Sequence, residues 1–258
     1  MKSNQKELFI IDIGNTNTKY GLYQNNCFSY IRYIKTKLVK NFILSLVERN
    51  CKIAISCVIP KIFEQLKDYN KKIFWVDHAK KLSFDLSLVK FEELGADRIA
   101  NLESLSRVKK LPAMIIDCGT AITIEVLDEK KIFLGGIIGP GRYLIRKSLN
   151  LYTKLLPIVP IHNSYFYDKK LKVDNQIDIS FGRDTIDSII LGSDVGIVGA
   201  IKEYIYITKK MLNIDDIDIY LTGGDSDIIA NHIDGINVLS ESFTLMGIYY
   251  IWENNNKI

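Results

Sequence analysis

The segment Ile10-Ile11-Asp12-Ile13-Gly14-Asn15-Thr16-Asn17-Thr18 returns 105 positions later as Ile115-Ile116-Asp117-Cys118-Gly119-Thr120-Ala121-Ile122-Thr123, with Ile, Ile, Asp, Gly and Thr in register. A chain that makes the same turn twice is constrained to a duplicated architecture. In each copy an apolar run with strand character ends on a carboxylate and opens into Gly and hydroxyl residues before a second strand-like stretch. Such a turn suits an anion and its metal. The glycine lets backbone N–H groups approach phosphate oxygens, the hydroxyls add donors, and the Asp can hold a hydrated cation. Two copies could grip a nucleotide from both sides. Taken singly, each turn is also what an ordinary β-hairpin would use.

At 258 residues with a repeat in each half, the expected organisation is two lobes, residues 1–112 and 113–258, parted near Leu111-Pro112. The composition, 47% hydrophobic and 25% charged, fits a soluble globular protein, and no apolar stretch reaches the ~18 residues that span a bilayer. Lys2 and Lys6 precede only a short apolar run broken by Asp12, so a signal peptide is not expected and the protein reads as cytoplasmic, without a membrane partner. Lys and Arg exceed Asp and Glu by 34 to 30, scattered in pairs such as Lys71-Lys72 and Lys109-Lys110, and no nucleic-acid-binding signature accompanies them. Cys27, Cys51, Cys57 and Cys118 contain no Cys-x-x-Cys pair and no nearby His, so neither zinc nor a disulfide framework is expected.

Strand and helix patterns alternate, which argues an α/β fold. Residues 8–34, 53–58, 73–76, 113–117 and 217–221 read as strands, and 38–49, 91–107, 143–155 and 185–211 as helices. Lys131 to Leu134 reads as a short strand running into a glycine loop, Gly135-Gly136-Ile137-Ile138-Gly139-Pro140-Gly141. Residues 157–181 read as a surface excursion, and Asn254 to Lys257 as a frayed tail. The helix from Thr185 is apolar on nearly all sides, so it either crosses a core or is covered by a second subunit.

Gly95-Ala96-Asp97-Arg98 is either a helix start with an ordinary acidic first turn or a paired base and cation. In the second case the Arg can fork onto a carboxylate while the Asp accepts a hydroxyl proton during phosphoryl transfer. Thr222-Gly223-Gly224 and the 135–141 glycines are either tight turns or close approaches to a nucleotide. The chain has no G-x-x-x-x-G-K-[ST] and no G-x-G-x-x-G, so a nucleotide would be held by another device.

Asp12-x-Gly14-Asn15-Thr16 with Gly21, Gly95-Ala96-Asp97-Arg98, Asp117-x-Gly119-Thr120-Ala121-x-Thr123, Gly135-Gly136-x-Ile138-x-Pro140-Gly141 and Thr222-Gly223-Gly224, in that order, resemble the type III pantothenate kinases over nearly the whole chain. The resemblance implies two ribonuclease H-like lobes of the superfamily of acetate and sugar kinases, heat-shock chaperones and actin, with nucleotide in the cleft. It implies ATP-dependent phosphorylation of pantothenate to 4′-phosphopantothenate, in coenzyme A synthesis.

By position, Asp12, Ile13, Gly14, Asn15, Thr16, Asn17, Thr18 and Lys19 would form the first phosphate loop, with Asp12 organising magnesium. Thr120 would contact ATP and Asp117 would hold a monovalent cation, potassium or ammonium. Gly95, Ala96, Asp97, Arg98 and Thr185 would bind pantothenate, with Asp97 taking the proton of its primary hydroxyl and Arg98 facing its carboxylate. A homodimer is implied, with the 185–201 helix covered by the partner. The chain departs from the family at Leu88-Val89-Lys90-Phe91, where a Tyr and an Asn-Pro are usual, which puts one pantothenate contact in question. The alternatives are a kinase of another small hydroxy acid and a non-catalytic transcriptional accessory protein.

Overall fold

A computed structural model describes residues 7–168 and 181–256. The first sheet is built from β1 (Leu8–Ile13), β2 (Asn17–Gln24), β3 (Cys27–Lys35), β4 (Lys52–Cys57) and β5 (Ile73–Trp75), with α1 (Val39–Glu48) and α2 (Pro60–Leu66) in the connections. Its strand order is β3-β2-β1-β4-β5. The β1-β2-β3 part is antiparallel, and β4 and β5 add in parallel after their crossovers. α3 (Ala96–Leu105) follows a long connection.

The second sheet repeats the plan with β6 (Ala113–Cys118), β7 (Ala121–Leu127) and β8 (Phe133–Pro140). α4 (Arg142–Tyr152), the one-turn α5 (Tyr165–Asp168) and α6 (Thr185–Leu212) come next, then β9 (Asp218–Thr222), α7 (Ser226–Ala230), β10 (Ile236–Leu239) and α8 (Phe243–Asn256). The order β10-β9-β6-β7-β8 is the first sheet's order met from the other edge. The sequence repeat is therefore a topological repeat: Asp12 is the fifth residue of β1 and Asp117 the fifth of β6.

Alternation along β1 divides the first core. Phe9, Ile11 and Ile13 pack with Val39, Ile43 and Leu46 of α1 on one face. Leu8 and Ile10 pack with Ala54, Ile99, Ala100, Leu245 and Ile248 on the other, under α3 and α8. Asp12 and its register partner Ser56 continue this second face, so the first turn's carboxylate and the start of α3 lie on the same side of the sheet. Gly247 lets α8 cross α3 closely, because a Cβ there would collide with the Ala100 carbonyl.

By its contacts the chain divides into Met1–Ile115 with Glu125–Gly136 and Ser240–Ile258, and Ile116–Ile124 with Ile137–Leu239. This differs from a division at 112/113 chiefly in α8, which packs on α3 and β1.

Three local expectations are corrected. Gly135, Gly136 and Gly139 belong to a continuous strand, β8, rather than a loop, and Gly141 caps α4. The described part of the 157–181 excursion is surface at Ile158, Ile161 and Phe181 but anchored by buried Val159, Ser164 and Tyr165; residues 169–180 lie outside the described residues. The tail is helical through Asn256, and the Asn254 amide donates to Ser83 Oγ at 3.1 Å and Glu103 Oε1 at 3.0 Å. Lys257 lies outside the described residues.

Candidate active site

In the first unit, Ile13↔Thr18 closes the ladder between β1 and β2 and leaves Gly14, Asn15 and Thr16 as the turn, with Asn17 opening β2 against Lys35 of β3. Asn15, Thr16 and Asn17 are exposed, while Ile13 is buried in the core, so that only its backbone is open to a ligand at the turn. Thr18 is also buried. Its hydroxyl meets Thr36 Oγ1 at 3.2 Å, and Thr36 donates to the Gly14 carbonyl at 2.7 Å, so the Thr18–Thr36 pair shapes the turn from below. Lys19 Nζ donates to the Glu241 carbonyl at 2.8 Å and lies over the Tyr33 ring, which ties the turn's far edge to the start of α8.

Gly95 caps α3, Ala96 opens it and Asp97 stands in its first turn. The Asp97 carboxylate folds back to accept the Arg98 N–H at 2.8 Å, and a Cβ on Gly95 would lie 2.6 Å from Asp97 Oδ1. Gly95 has φ −60°, open to any residue, so glycine is needed here for room rather than for conformation. The N-terminus of a helix favours the ionised carboxylate. Arg98 is held by Glu125 of β7: Nε donates to Glu125 Oε1 at 2.7 Å, and the Glu125 side chain is fully buried. Its guanidinium also lies 5.9 Å from the Phe133 ring centroid.

Beside Gly95 and Val58 a cavity of about 700 Å³ is lined by Cys57, Val58, Ile59, Phe63, Trp75 and Asp77. Burial raises the Cys57 thiol pKa, and the nearby Asp12 charge adds to the rise, so this cysteine stays a thiol rather than a nucleophile. In the atypical 88–91 stretch Leu88 is exposed, while Phe91 packs its ring 5.2 Å from His78.

In the second unit, Asp117 and Thr120 sit at the β6–β7 turn, where Gly119 N donates to Ala121 O at 3.1 Å. Two glycines press on this turn. Gly141, just ahead of α4, donates to the Thr120 carbonyl at 3.1 Å, and a Cβ there would collide with the Gly119 carbonyl. Gly223 has φ +98°, and its Cβ would lie 2.5 Å from Cys118 N and 2.6 Å from Asp117 Oδ1. Both room and backbone conformation demand glycine there. Cys118 is buried, and burial, then the Asp117 and Asp225 charges, push its thiol well up, so it is inert.

Thr185 is the exposed first residue of α6, a helix capped by the Asp184 carboxylate, which accepts from Asp187 N at 2.8 Å. It lines a cavity of about 650 Å³ with Ile145, Leu149, Arg183, Asp184 and Ser188. Among the described residues, nothing wraps this helix on all sides. Ile189, Ile197, Val198 and Ile201 are buried, but Ile186 and Val195 are exposed, and a Cβ at Gly192, Gly196 or Gly199 would meet nothing within 4 Å.

The two turns occupy equivalent positions in the two sheets, and the Gly95–Arg98 element lies on the face of the first sheet that bears Asp12. Glu125, Ser56 and the buried Arg142, Arg146 and Asp194 were not singled out from the sequence, where Glu125 shows as a charge inside the apolar run Ile122–Leu127.

The family model for type III pantothenate kinases matches residues 8–206. Curated proteins described as type III pantothenate kinase include that of Agathobacter rectalis, 28% identical over 97% of this chain and 98% of the relative. That of Thermosipho africanus is 30% identical over 96% of this chain and 98% of the relative. Among solved structures, one from Campylobacter jejuni described as a Baf family transcriptional activator aligns with TM-score 0.64 at 23% identity, covering 98% of this chain and all (100%) of that one. Component A of the (R)-2-hydroxyglutaryl-CoA dehydratase of Acidaminococcus fermentans aligns with TM-score 0.53 at 13% identity, covering 97% and 99%. At these identities the structural likeness bears on fold, and it agrees with two ribonuclease H-like lobes.

Proposed function

The chain belongs to the type III pantothenate kinase family, and from that premise we propose which of its residues perform the reaction. The protein is a phosphotransferase that makes 4′-phosphopantothenate from pantothenate and ATP, in coenzyme A biosynthesis. The observation that carries the residue assignment is the start of α3. There successive residues supply a carboxylate and a guanidinium, each fixed by its own hydrogen bond, on a helix that packs on the sheet face that also bears Asp12.

Asp97 orients the primary hydroxyl of pantothenate and accepts its proton as the oxygen attacks the γ-phosphorus. Arg98, held at Nε by Glu125, turns the rest of its fork toward the substrate carboxylate, with Gly95 and Ala96 beside it; Thr185 is assigned to pantothenate by its family position alone. The backbone N–H groups of Gly14 to Asn17 and the Thr16 hydroxyl, with Thr18 and Lys19 behind them, are assigned to the phosphates of ATP; in the second unit Thr120 is assigned to ATP by its place in the repeated turn. Little covalent chemistry is asked of the protein, because phosphoryl transfer depends on positioning and on stabilising spread negative charge.

Asp12, at the end of β1, would offer an oxygen donor to Mg²⁺, and Asp117, half-buried against Gly223, would offer a carboxylate to K⁺ or NH₄⁺. Magnesium would neutralise charge on the transferring group. The open glycine stripe and exposed Ile186 and Val195 of α6 support a homodimer through this helix. No helix among the described residues is long and apolar enough to cross a membrane.

The test is ADP release by the purified protein with ATP, Mg²⁺ and pantothenate, with and without K⁺ or NH₄⁺. Cation-dependent turnover is expected. Silence under every cation, from folded protein that binds ATP, rejects pantothenate as the substrate.

A further inference from the structure

Arg142 and Arg146, one turn apart on α4, are the largest fully buried side chains of the described residues. Arg142 grips Asp194 of α6 with two nitrogens, Nε to Oδ1 at 2.7 Å and Nη2 to Oδ2 at 3.3 Å. Arg146 Nη2 reaches the same Oδ1 at 2.8 Å, and Ser164 Oγ and Tyr165 N donate to Asp194 Oδ2, both at 2.8 Å. The carbonyls of Pro160 and Asn163 take Arg146 Nη1 at 2.7 Å. Two buried guanidinium charges surround one buried carboxylate, and the second counter-charge comes from elsewhere in the unit: Arg142 Nη1 donates to Asp225 Oδ1 at 3.0 Å.

That carboxylate ends the Thr222-Gly223-Gly224-Asp225 loop. The loop lies on the second turn, with Asp225 N donating to Cys118 O at 3.0 Å and Gly223 close against Asp117. Arg142 is also the next residue after Gly141, whose N–H holds the Thr120 carbonyl. One immobile guanidinium is thus joined to the second turn by two routes, through its own backbone and through Asp225.

We propose that Arg142 and Asp225 are positioning residues for ATP: the Asp194-locked guanidinium sets the Thr222–Asp225 loop against the Asp117–Thr120 turn at the spacing the nucleotide needs. This rests on the reading that the second turn meets ATP. A buried arginine so fully bonded has one geometry available, and a loop tied to it inherits that geometry. Positioning of this kind acts on nucleotide binding and leaves the pantothenate contacts of α3 untouched.

The experiment compares Asp225→Ala with Asp225→Asn, reading KM for ATP, KM for pantothenate, direct binding of a fluorescent ATP analogue, and melting temperature. An Asn carbonyl can still accept from Arg142 Nη1, whereas Ala cannot. Asp225→Ala is expected to raise KM for ATP and weaken analogue binding by about 10–100-fold, with KM for pantothenate within about twofold. Asp225→Asn is expected to recover most of the loss. Arg142→Lys, which keeps the charge and loses the fork, is expected to shift KM for ATP in the same direction.

An unchanged KM for ATP in Asp225→Ala overturns the proposal, as does a lowered melting temperature with both KM values unchanged. Asn as defective as Ala also overturns it, because the carboxylate charge, and not the bond to Arg142, would then be what matters. If the unmodified protein binds the analogue but phosphorylates no pantothenate, it is the functional reading that fails, and analogue binding by the variants still decides this proposal.

Discussion

Arg98 Nε donates to Glu125 Oε1 across 2.7 Å, and the acceptor side chain is fully buried while the donor keeps 16% of its surface. The pair is oriented from the inside outward. The buried carboxylate fixes one edge of the guanidinium and leaves its exposed part to an incoming anion. A buried carboxylate is costly without its partner, so the two residues depend on each other.

Glu125→Gln keeps an acceptor for Nε and removes the charge. It is expected to raise KM for pantothenate several-fold with kcat little changed, since Arg98 is still aimed but less firmly held. Glu125→Ala is expected to raise it further, by about 10-fold or more. Arg98→Lys cannot serve Glu125 and a substrate carboxylate together, and is expected to resemble the Ala variant. Steady-state kinetics with pantothenate as the varied substrate check the series; an unchanged KM in Glu125→Ala rejects the coupling.

Asp97→Asn keeps the shape of the first turn of α3 and removes the proton acceptor. Turnover is expected to fall by about 10²–10⁴ while ATP affinity stays within about twofold. Rapid-quench measurement of the chemical step decides the matter, and a near-normal rate sinks the assignment. Gly95→Ala is the positional counterpart: its methyl would displace Asp97 Oδ1, so kcat is expected to fall although the carboxylate remains.

Much of this was legible in the sequence where side-chain period and local chemistry agree. β1 and β6 were readable because each is an apolar run that ends on Asp and then Gly, and α6 because apolar residues fill a 28-residue window. The glycine stretch of β8 was misread because glycines give a strand no alternation to display. Its sheet pairing, and the approach of the Tyr204 hydroxyl to 3.1 Å from the Cβ position of Gly139, become visible only in three dimensions. The tail failed for a similar reason: Asn254 is stabilised by Ser83, Glu103 and Arg107, all more than 140 positions away. Asp194 likewise looks like one polar residue on an apolar helix until Arg142 and Arg146 are brought to it.

Ser56 stands opposite Asp12 in the β1–β4 register, fully buried, and its hydroxyl has no hydrogen-bond partner among the described residues. A buried hydroxyl left unsatisfied costs about 1–3 kcal/mol, so Ser56→Ala should relieve strain that the fold otherwise carries. The expected result is a melting temperature higher by about 2–4 °C in the ligand-free protein. Differential scanning calorimetry without nucleotide measures it, and a lower melting temperature rejects this account of the hydroxyl.

His232 provides a pH test of the second unit. Its ring stacks on Phe166 with centroids 3.8 Å apart, and burial, then the charge of Lys202, lower its pKa from 6.5. The folded protein therefore disfavours the imidazolium, whereas the unfolded chain takes up a proton freely near its ordinary pKa. Stability from this site is complete above pH about 6.5 and is lost as pH falls from there toward the depressed folded value. In His232→Gln the loss disappears. The melting temperature of the unmodified protein minus that of the variant is expected to shrink between pH 7.5 and pH 5.5, by about a degree or two because the partly exposed ring is screened by solvent. Groups common to both proteins cancel in that difference, so a gap that stays constant with pH would show that the imidazole is not held neutral against Phe166.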